Sequence, residues 1–408
     1  MKILHTSDWH LGRLLFTHKR YDEFSAFLAW LIDVLDREVI DVLLVAGDVF
    51  DTTTPSHRAQ ELYYRFLCQA VADGRRHVVV TAGNHDSPTF LDAPKTVLES
   101  IRVRVVGSAA ADPADEVIVL PGASGEPEVI VCAVPFLRDR DLRTVEAGEL
   151  PEDKERKLTE GIQRHYTAVA AAAAAAQEQV GRRLPVVAMG HLFAAGGQTV
   201  EGDGVRDLYV GSLAHVGSDM FPPIFNYCAL GHLHTAQSVG GDVTRRYSGA
   251  PLAMGFGERA GKSVLIVEFT GLAPAITPVP VPCFQELVRL QGGWPEIADG
   301  IRQLRQRDSR ALIEIIYDGS GAVGDLRQMA DEAIAGSALN LLRIKNLRVA
   351  QQALNSMDSS EELDDLDPEE VFRRCLDARS VAEQDRLELL LAYREAAAAL
   401  HNADPNAE

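Results

Sequence analysis

The sequence predicts an α/β fold whose buried strands end on metal-binding side chains. Apolar runs of strand character alternate with amphipathic helix patterns from residue 1 to about residue 278. Five of these runs stop abruptly, and each is followed by aspartate, asparagine or histidine. Because open α/β folds bind substrates where strands end, we expect these side chains to converge at one edge of a sheet. The runs are Lys2 to Thr6, Val42 to Ala46, Val78 to Ala82, Pro185 to Met189 and Tyr227 to Leu230.

The side chains after the five runs suit a pair of divalent ions. Asp8 and His10 are separated by one residue, so both point the same way from an extended strand end. Asp48 follows a glycine that allows a sharp turn, and its two oxygens suit it to bridge two ions. Mixed oxygen and imidazole ligands favour the Mn²⁺ class, although Mn²⁺, Fe²⁺ and Zn²⁺ overlap in ligand preference. The candidate ligands are Asp8, His10, Asp48, Asn84, His191, His232 and His234.

Two further residues beside these ligands are candidates for catalysis. His85 follows Asn84 and is better placed to face a substrate than to bind metal, so it would stabilise phosphoryl oxygens or protonate a leaving oxygen. Asp51 would hydrogen-bond His85 and hold it protonated, or else it caps the turn after Asp48. Two ions that activate water and offset charge in an in-line displacement predict phosphoester hydrolysis.

Composition and charge exclude several classes of protein. Hydrophobic residues make up 46% of the 408 residues, which is enough for a substantial core. We find no apolar stretch of membrane-spanning length and no signal segment, so we expect a soluble, cytoplasmic protein. Five scattered cysteines fit no disulfide framework. A net charge of -19 argues against coating nucleic acid through a bulk positive field, so any nucleic-acid binding must be local, metal-assisted or shared with a partner.

The chain is expected to contain three parts, residues 1–278, 279–350 and 351–408. Gly271 and a cluster of prolines after the strand Ser263 to Phe269 mark a break. Residues 279–350 then read as a small βαβαβ unit without a ligand-like cluster, which we interpret as a cap domain. The acidic run Asp358 to Glu370 is typical of a linker. Two short capped helices follow it, and they dock either on the chain's own core or on a partner.

These motifs resemble those of the calcineurin-like metallophosphoesterases. The segments that carry the resemblance are Asp8-Trp9-His10-Leu11-Gly12, Gly47-Asp48-Val49-Phe50-Asp51, Gly83-Asn84-His85-Asp86, Gly190-His191 and Gly231-His232-Leu233-His234. The form of the first motif, with Asp367-Pro368-Glu369-Glu370 near the end of the chain, is similar to the Mre-type nucleases within that superfamily.

The resemblance implies a fold, a cofactor and partners. The fold would be two mixed β-sheets packed face to face with flanking helices, plus the small cap domain and a C-terminal helical partner-binding segment. The activity would be that of a DNA nuclease with two Mn²⁺ per chain and His85 in the catalytic role. A homodimer and an ATPase partner, whose coiled-coil roots engage the tail, are also implied. One ion would be held by Asp8, His10, Asp48 and His234, and the other by Asp48, Asn84, His191 and His232.

The resemblance also suggests surfaces for DNA and for a second copy. Dimerisation would use the helices at residues 58–71 and 89–100, with core packing as the alternative for their aromatic residues. The candidate interface residues are Tyr63, Tyr64, Phe66 and Leu67. Local DNA contacts, with solvated surface charge as the alternative, would come from Arg13, His18, Lys19, Arg20 and Arg58.

Two competing functions fit the same motifs less well. A small-molecule or protein phosphatase would need neither cap nor tail, and protein phosphatases of this superfamily carry Glu where this chain has Asp86, and Arg-Gly after the position of Asp51. A metal-free scaffold is disfavoured because every ligand position is filled. Metal stoichiometry measured with cleavage of DNA ends and of a generic phosphate ester distinguishes the three functions.

Overall fold

The computed structural model describes residues 1–143, 151–193, 220–258, 261–319 and 326–347, together with several residues between 372 and 393. The chain forms two compact units, Met1–Leu287 and Val288–Glu408. The acidic run at 358–370 and most of the two helices predicted after it lie outside the described residues. The part boundaries expected at residues 278 and 350 stay predictions.

The first six-stranded sheet combines strands from both ends of the first unit's sequence. Its strands are β1 (Lys2–Thr6), β4 (Val42–Ala46), β5 (His77–Thr81), β6 (Val103–Val106), β13 (Ser263–Thr270) and β14 (Ala273–Pro280), in the order β14-β13-β1-β4-β5-β6. β1, β4, β5 and β6 run parallel, whereas β13 and β14 are antiparallel to their neighbours. A short hairpin, β2 (Leu14–Leu15) and β3 (His18–Lys19), follows β1.

The second sheet also has six strands, with one antiparallel strand at each edge. Its members are β7 (Val117–Pro121), β8 (Pro127–Ala133), β9 (Val186–His191), β10 (Tyr227–Gly231), β11 (Gln237–Val239) and β12 (Asp242–Tyr247), in the order β11-β12-β10-β9-β8-β7. β8, β9, β10 and β12 are parallel, and the outer strands β7 and β11 are antiparallel to them.

Side chains on alternate positions of each inner strand explain why these strands read as continuous apolar runs. On β4, Val42, Leu44 and Ala46 join the apolar layer between the two sheets, while Leu43 and Val45 face the helices. Strands buried on both faces lack the alternation of half-exposed strands. Helices cover the outer face of each sheet, so the predicted arrangement of two mixed sheets with flanking helices is confirmed. The helices of this unit are α1 (Tyr21–Arg37), α2 (His57–Ala70), α3 (Pro88–Asp92), α4 (Lys95–Glu99), α5 (Asp139–Leu142) and α6 (Pro151–Val180).

The proline-rich segment after β13 is a strand, which corrects the expectation of a break there. Residues 273–280 pair with β13 over its whole length and form the edge of the first sheet. Pro274, Pro278 and Pro280 occupy alternate positions, so the missing N–H groups all lie on one side of the strand. An edge strand tolerates proline because that side has no ladder partner.

The second unit contains the predicted βαβαβ order. Its elements are β15 (Leu287–Gly292), α7 (Trp294–Gln306), β16 (Leu312–Tyr317), α8 (Leu326–Ile334) and β17 (Asn340–Asn346), and the sheet order is β15-β16-β17. The apolar faces of both helices pack with the sheet in one core. None of the helices in the described part of the chain combines the length and apolar character that crossing a membrane requires.

Candidate metal centre

The candidate ligands lie together at the carboxyl ends of strands from both sheets. Asp8 and His10 follow β1, Asp48 follows β4 and Asn84 follows β5, whereas His191 ends β9 and His232 and His234 follow β10. The sequence predicted convergence at one sheet edge, and the structure instead joins the corresponding edges of two sheets. The groups that the structure brings within metal-binding reach of one another are Asp8, His10 and His234, then Asp8, Asp48 and His191, and also His10, Asp51 and His85.

Four of these residues have a positive φ angle, which sets the direction of their side chains. The φ angles are 54° at Asp8, 48° at His10, 50° at Asp48 and 104° at His232. Left-handed conformations of non-glycine residues cost about 1–3 kcal/mol and persist where surrounding contacts determine them. Here Asp8 N–H donates to the Gly47 carbonyl (3.0 Å) and His10 N–H donates to the Asp48 carbonyl (2.9 Å), so the loops after β1 and β4 hold each other.

Two glycines are required by close approach. A Cβ at Gly47, where φ is 81°, would collide with the His191 ring, and a Cβ at Gly83 would collide with the Asp48 carboxylate. These two glycines therefore leave room for a candidate ligand that follows or ends another strand.

Asp48 lies between two groups of ligands. Its Oδ2 is 3.6 Å from His10 Nε2 and 3.3 Å from His191 Nε2. On one side, His10 Nε2 is 3.1 Å from His234 Nε2. On the other side, Asn84 Oδ1 is 3.0 Å from His191 Nε2 and 3.1 Å from His232 Nδ1. This is the arrangement that a bridging carboxylate requires.

These separations fit metal coordination. A ligand bond of about 2.1 Å places neighbouring donors about 3.0 Å apart in an octahedron and about 3.4 Å apart in a tetrahedron. Four of the five separations fall in that range, whereas the 3.6 Å between Asp48 Oδ2 and His10 Nε2 is slightly longer. The Nε2 atom of His232 is enclosed and has no hydrogen-bond partner. Carboxylate, amide and imidazole donors without thiolate suit divalent ions of the Mn²⁺ class, so the residues present fit a dinuclear centre.

Neighbouring groups fix the orientation of the ligands. His191 Nδ1–H donates to the Ala46 carbonyl (3.0 Å), which leaves Nε2 as the lone-pair donor toward the centre. Asp8 accepts from the His232 main-chain N–H (2.9 Å) and from the Ser7 hydroxyl. The Lys262 ammonium donates to the His234 carbonyl (3.1 Å). Such outer contacts hold rings and carboxylates ready for a metal ion.

The buried charges of the centre perturb one another strongly. Burial raises the pKa of Asp8 to about 7, against the opposing charge of His191. Burial would also raise the pKa of Asp48, but His191 and His10 hold it well below its usual range. Burial lowers the pKa of His191, yet the Asp48 carboxylate overrides this and raises it to about 9. Two enclosed carboxylates thus need compensating positive charge, which divalent ions would supply.

Asp51 contacts His85 through its main chain, which changes the expected role of its carboxylate. His85 Nδ1–H donates to the Asp51 carbonyl (2.9 Å), so Nε2 is the ring atom left for a substrate. The Asp51 carboxylate lies 3.3 Å from His10 Nδ1 and accepts from Arg13 (3.1 Å). The predicted pairing of the carboxylate with His85 is therefore replaced by pairing with His10, a candidate ligand.

The structure contradicts part of the predicted DNA surface. The Arg20 side chain is fully enclosed and forms two hydrogen bonds to the Glu23 carboxylate, at 2.7 and 2.9 Å, so it is not a DNA contact. Arg13 is largely buried against Asp51. Arg58 is exposed and lies over the Tyr21 ring. Lys19 is exposed and His18 half-buried in the hairpin after β1, so contact with DNA stays a prediction for Arg13, His18, Lys19 and Arg58.

The predicted dimer residues mostly face inward. Tyr63, Phe66 and Leu67 are buried in the core between α2 and the first sheet, which contradicts their assignment to an interface. Tyr64 is half-buried and packs against that core. An amphipathic helix buries one face in its own domain, and α2 buries the face that carries its aromatic residues.

One residue beside the centre had no predicted role although its motif was visible. The buried Asp86 carboxylate accepts from the main-chain N–H groups of Gly83 (2.9 Å), Val49 (3.1 Å) and Phe50 (2.9 Å). It therefore fastens the loop after β5 to the loop after β4. An aspartate three residues after a turn glycine was the available signal.

Comparison with known proteins agrees with this geometry. Residues 1–234 match the calcineurin-like phosphoesterase family, and residues 283–380 match the SbcD_C family, described as type 5 capsule protein repressor C-terminal domain. The chain is 34% identical over 401 residues to the SbcD subunit of the SbcCD nuclease of Escherichia coli K12, covering 96% of each chain. It is 36% identical over 355 residues to the corresponding subunit of Rhodobacter capsulatus, covering 84% of this chain and 86% of the relative. The protein of the same name from Bacillus subtilis is 35% identical over 271 residues, 66% of each chain.

Proposed function

Because the chain belongs to the SbcD family of calcineurin-like phosphoesterases, we propose that it is the metal-dependent nuclease subunit of an SbcCD-type complex. The reaction is hydrolysis of DNA phosphodiester bonds, exonucleolytic on double-stranded ends and endonucleolytic on single strands or hairpins. The observation that carries the proposal is the position of Asp48 Oδ2 between His10 Nε2 and His191 Nε2, with further donors on each side.

The residues divide into two sets around the shared carboxylate. Asp8, His10 and His234 would hold one ion with Asp48, and the second would be held by Asp48 with Asn84, His191 and His232. Two divalent ions bound there, Mn²⁺ in this proposal, would supply the nucleophilic water and offset charge in an in-line displacement. Asn84 provides a neutral oxygen, which adds a donor without adding negative charge.

His85 acts on the substrate. Its Nδ1–H is committed to the Asp51 carbonyl, which fixes the ring and leaves Nε2 toward the reacting group. Its main-chain N–H donates to Asp48 Oδ1 (2.9 Å), so the same residue also orients the shared carboxylate. From this position His85 stabilises charge on the phosphoryl oxygens or gives a proton to the leaving oxygen.

The acidic character of the chain fits a division of labour with a partner. A chain of net charge -19 gains little from bulk attraction to DNA, so an SbcC-type ATPase would supply much of the grip. The second chain in a homodimer would place two nuclease sites on one assembly. We place the complex in the cytoplasm, where it would act in DNA repair, recombination and replication.

Metal-dependent cleavage tests this function. Protein stripped with a chelator and reloaded with Mn²⁺ should bind two ions and cleave both single-stranded DNA and a generic phosphodiester. A phosphomonoester serves as the comparison substrate for a phosphatase. Hydrolysis of the phosphomonoester alone, with DNA left intact, would contradict the nuclease proposal.

Deleting the tail tests the partner. Removal of Met357 to Glu408 should leave Mn²⁺-dependent cleavage of single-stranded DNA largely intact, because every candidate ligand lies at or before His234. The same deletion should abolish stable association with an SbcC-type ATPase and the ATP-stimulated processing of duplex ends. Co-purification of each form with the ATPase provides the measurement, and equal recovery would show that the tail helices pack on their own chain.

A further inference from the structure

Strand β8 ends at the edge that carries the metal centre, yet it donates no candidate ligand. It runs parallel to β9, with Ala133 paired to Met189 two residues before His191. The segment that follows β8 crosses to the first sheet, because Phe136 N–H donates to the Ala82 carbonyl (2.8 Å) just beyond the end of β5. Phe136 to Arg138 therefore lie beside the centre, and the two-ion chemistry gives them no role.

In this segment the Phe136 ring packs against His191, a candidate ligand, and the Arg138 guanidinium packs on Phe136. The Phe136 ring meets the His191 ring edge-on, with centroids 6.3 Å apart and an interplanar angle of 81°. The guanidinium carbon of Arg138 lies 5.9 Å from the centroid of the Phe136 ring. Attraction between a cation and a ring face favours this layer. Arg138 is thus held one aromatic ring away from a candidate ligand of the second ion.

The hydrogen bonds of Arg138 leave part of its donor capacity unused. Its Nη2 donates to the main-chain carbonyl of Asp86 (3.2 Å), the residue after His85. Its Nη1 is enclosed and has no hydrogen-bond partner. The Asp86 carboxylate is already engaged by three main-chain N–H groups. Enclosing a donor of a charged group without an acceptor is costly, and this half-buried side chain would regain a partner by turning its guanidinium toward a bound anion.

We propose that Arg138 binds a phosphate of the DNA strand next to the scissile phosphate. This inference rests on the proposed nuclease function. A guanidinium matches phosphate through paired N–H donors, and its charge offsets part of the excess negative charge of a chain with 59 acidic and 40 basic residues. Because the Phe136 ring separates Arg138 from His191, the guanidinium is suited to a flanking phosphate and the ions to the reacting one.

Two substrates separate this role from loop support. Single-stranded DNA has flanking phosphates, whereas bis(p-nitrophenyl) phosphate is a phosphodiester without them. Arg138→Met should lower kcat/KM on DNA by about 10- to 100-fold, as expected for a lost hydrogen bond to a charged group. The same substitution should change kcat/KM on the small ester by no more than about 3-fold, and Arg138→Lys should restore part of the DNA activity because it keeps the charge.

Binding measurements provide a second readout. In a His85→Ala background, which allows binding to be measured with little cleavage, the slope of log K against log salt for single-stranded DNA should fall by about 0.7 when Arg138 is replaced. Arg140→Met is the matched control, since this arginine lies two residues away with its side chain 75% exposed. Arg138→Gln keeps a donor for the Asp86 carbonyl and serves if the methionine variant does not fold.

Two outcomes would overturn the phosphate contact of Arg138, and a third would overturn the nuclease function. Equal losses on both substrates, with metal content retained, would mean that Arg138 acts through the loop that carries His85, and the phosphate contact would be wrong. Unchanged kcat/KM on DNA would also overturn it. Failure of the Mn²⁺-loaded wild-type protein to hydrolyse either substrate would refute the proposed function itself, so the two failures are distinguishable.

Discussion

The two six-stranded sheets share a plan but contribute different chemistry to the centre. In each sheet four neighbouring strands run parallel and end at the edge that carries the candidate ligands. The first sheet adds the antiparallel pair β13 and β14 on one side, whereas the second adds one antiparallel strand on each side. The first sheet supplies every candidate oxygen ligand, namely Asp8, Asp48 and Asn84, together with His10. The second sheet supplies imidazoles alone, and these are His191, His232 and His234.

This division means that neither sheet holds a complete site. Contacts across the interface join the two ligand sets, since His191 donates to the Ala46 carbonyl and the His232 main chain donates to Asp8. Metal binding should therefore depend on correct packing of the sheets and should in turn stabilise that packing, because an ion bound only by the folded form shifts the folding equilibrium. The predictions below test this dependence.

Removal of the shared carboxylate should have the largest effect. Asp48→Ala should abolish hydrolysis of DNA and lower bound metal at both positions, because this side chain lies between the ligands of both sheets. Elemental analysis of dialysed protein gives the ions per chain. Asp33→Ala, an exposed aspartate on α1, is the control and should bind metal normally. Two tightly bound ions in the Asp48→Ala protein would remove Asp48 from the bridging role.

Removal of His85 should separate catalysis from metal binding. His85→Ala should keep two ions while kcat falls by roughly 10² to 10⁴, the usual contribution of a placed acid or base. His77→Ala is a matched control, because His77 begins the strand that ends before His85 and lies at its far end. Metal loss in proportion to the loss of rate would reassign His85 as a ligand.

Asp51→Asn should distinguish the two interpretations of this carboxylate. In the structure it supports His10, so affinity for one ion should fall by about 10- to 100-fold, the usual effect of losing an outer partner of a metal ligand. With saturating Mn²⁺, kcat should recover nearly to that of the wild type. Titration of activity with Mn²⁺ measures both quantities. A low kcat at saturating metal with unchanged affinity would instead support direct action on His85.

The packing of the two sheets should also have its own pH dependence. His5 lies on β1 and contacts the Tyr227 hydroxyl (2.9 Å) and the Leu230 carbonyl (3.2 Å) of β10. Burial lowers the pKa of His5 to about 3, whereas the unfolded chain has the ordinary value of 6.5. Below pH 6.5 His5 becomes protonated in the unfolded chain but stays neutral in the folded protein. The free energy of unfolding that is present above pH 6.5 is therefore lost as the pH falls toward 3.

A substitution isolates the contribution of His5. The free energy of unfolding should fall by up to about 1.4 kcal/mol per pH unit from this group below pH 6.5. His5→Gln keeps polar contacts but removes the titration, so the loss between pH 7 and pH 5 should be smaller than in the wild type. Urea unfolding of metal-free protein at both values measures it. Equal losses in the two proteins would show that His5 does not titrate differently on unfolding.

The success of the sequence interpretation depended on the surroundings of each residue. Strands such as β4 are buried on both faces, so their apolar runs and the ligands after them could be read directly. The edge strand β14 could not be predicted in this way, because its prolines are tolerated only on a strand that has no neighbour on one side. Strand order is a long-range property that a linear pattern does not contain.

The wrong predictions for individual side chains also arose because their surroundings depend on the three-dimensional fold. Arg20 looked like a surface cation, but Glu23 lies one helical turn away and pairs with it. Tyr63 and Phe66 looked equally suited to an interface or a core, and only the position of the first sheet decides which face of α2 is buried. The partner of the Asp51 carboxylate depends on atom positions in three loops, which residue spacing alone does not define.

Electron paramagnetic resonance of the Mn²⁺-loaded wild-type protein would show whether one centre holds two ions that share the Asp48 carboxylate. Two Mn²⁺ about 3.5–4 Å apart that share a carboxylate should be exchange-coupled. We predict two ions per chain and a coupled spectrum that reverts to an uncoupled one when His191→Ala removes the second sheet's ligand to one ion. Two ions per chain with the spectrum of isolated Mn²⁺, or one ion per chain at saturation, would contradict a bridged centre built from both sheets.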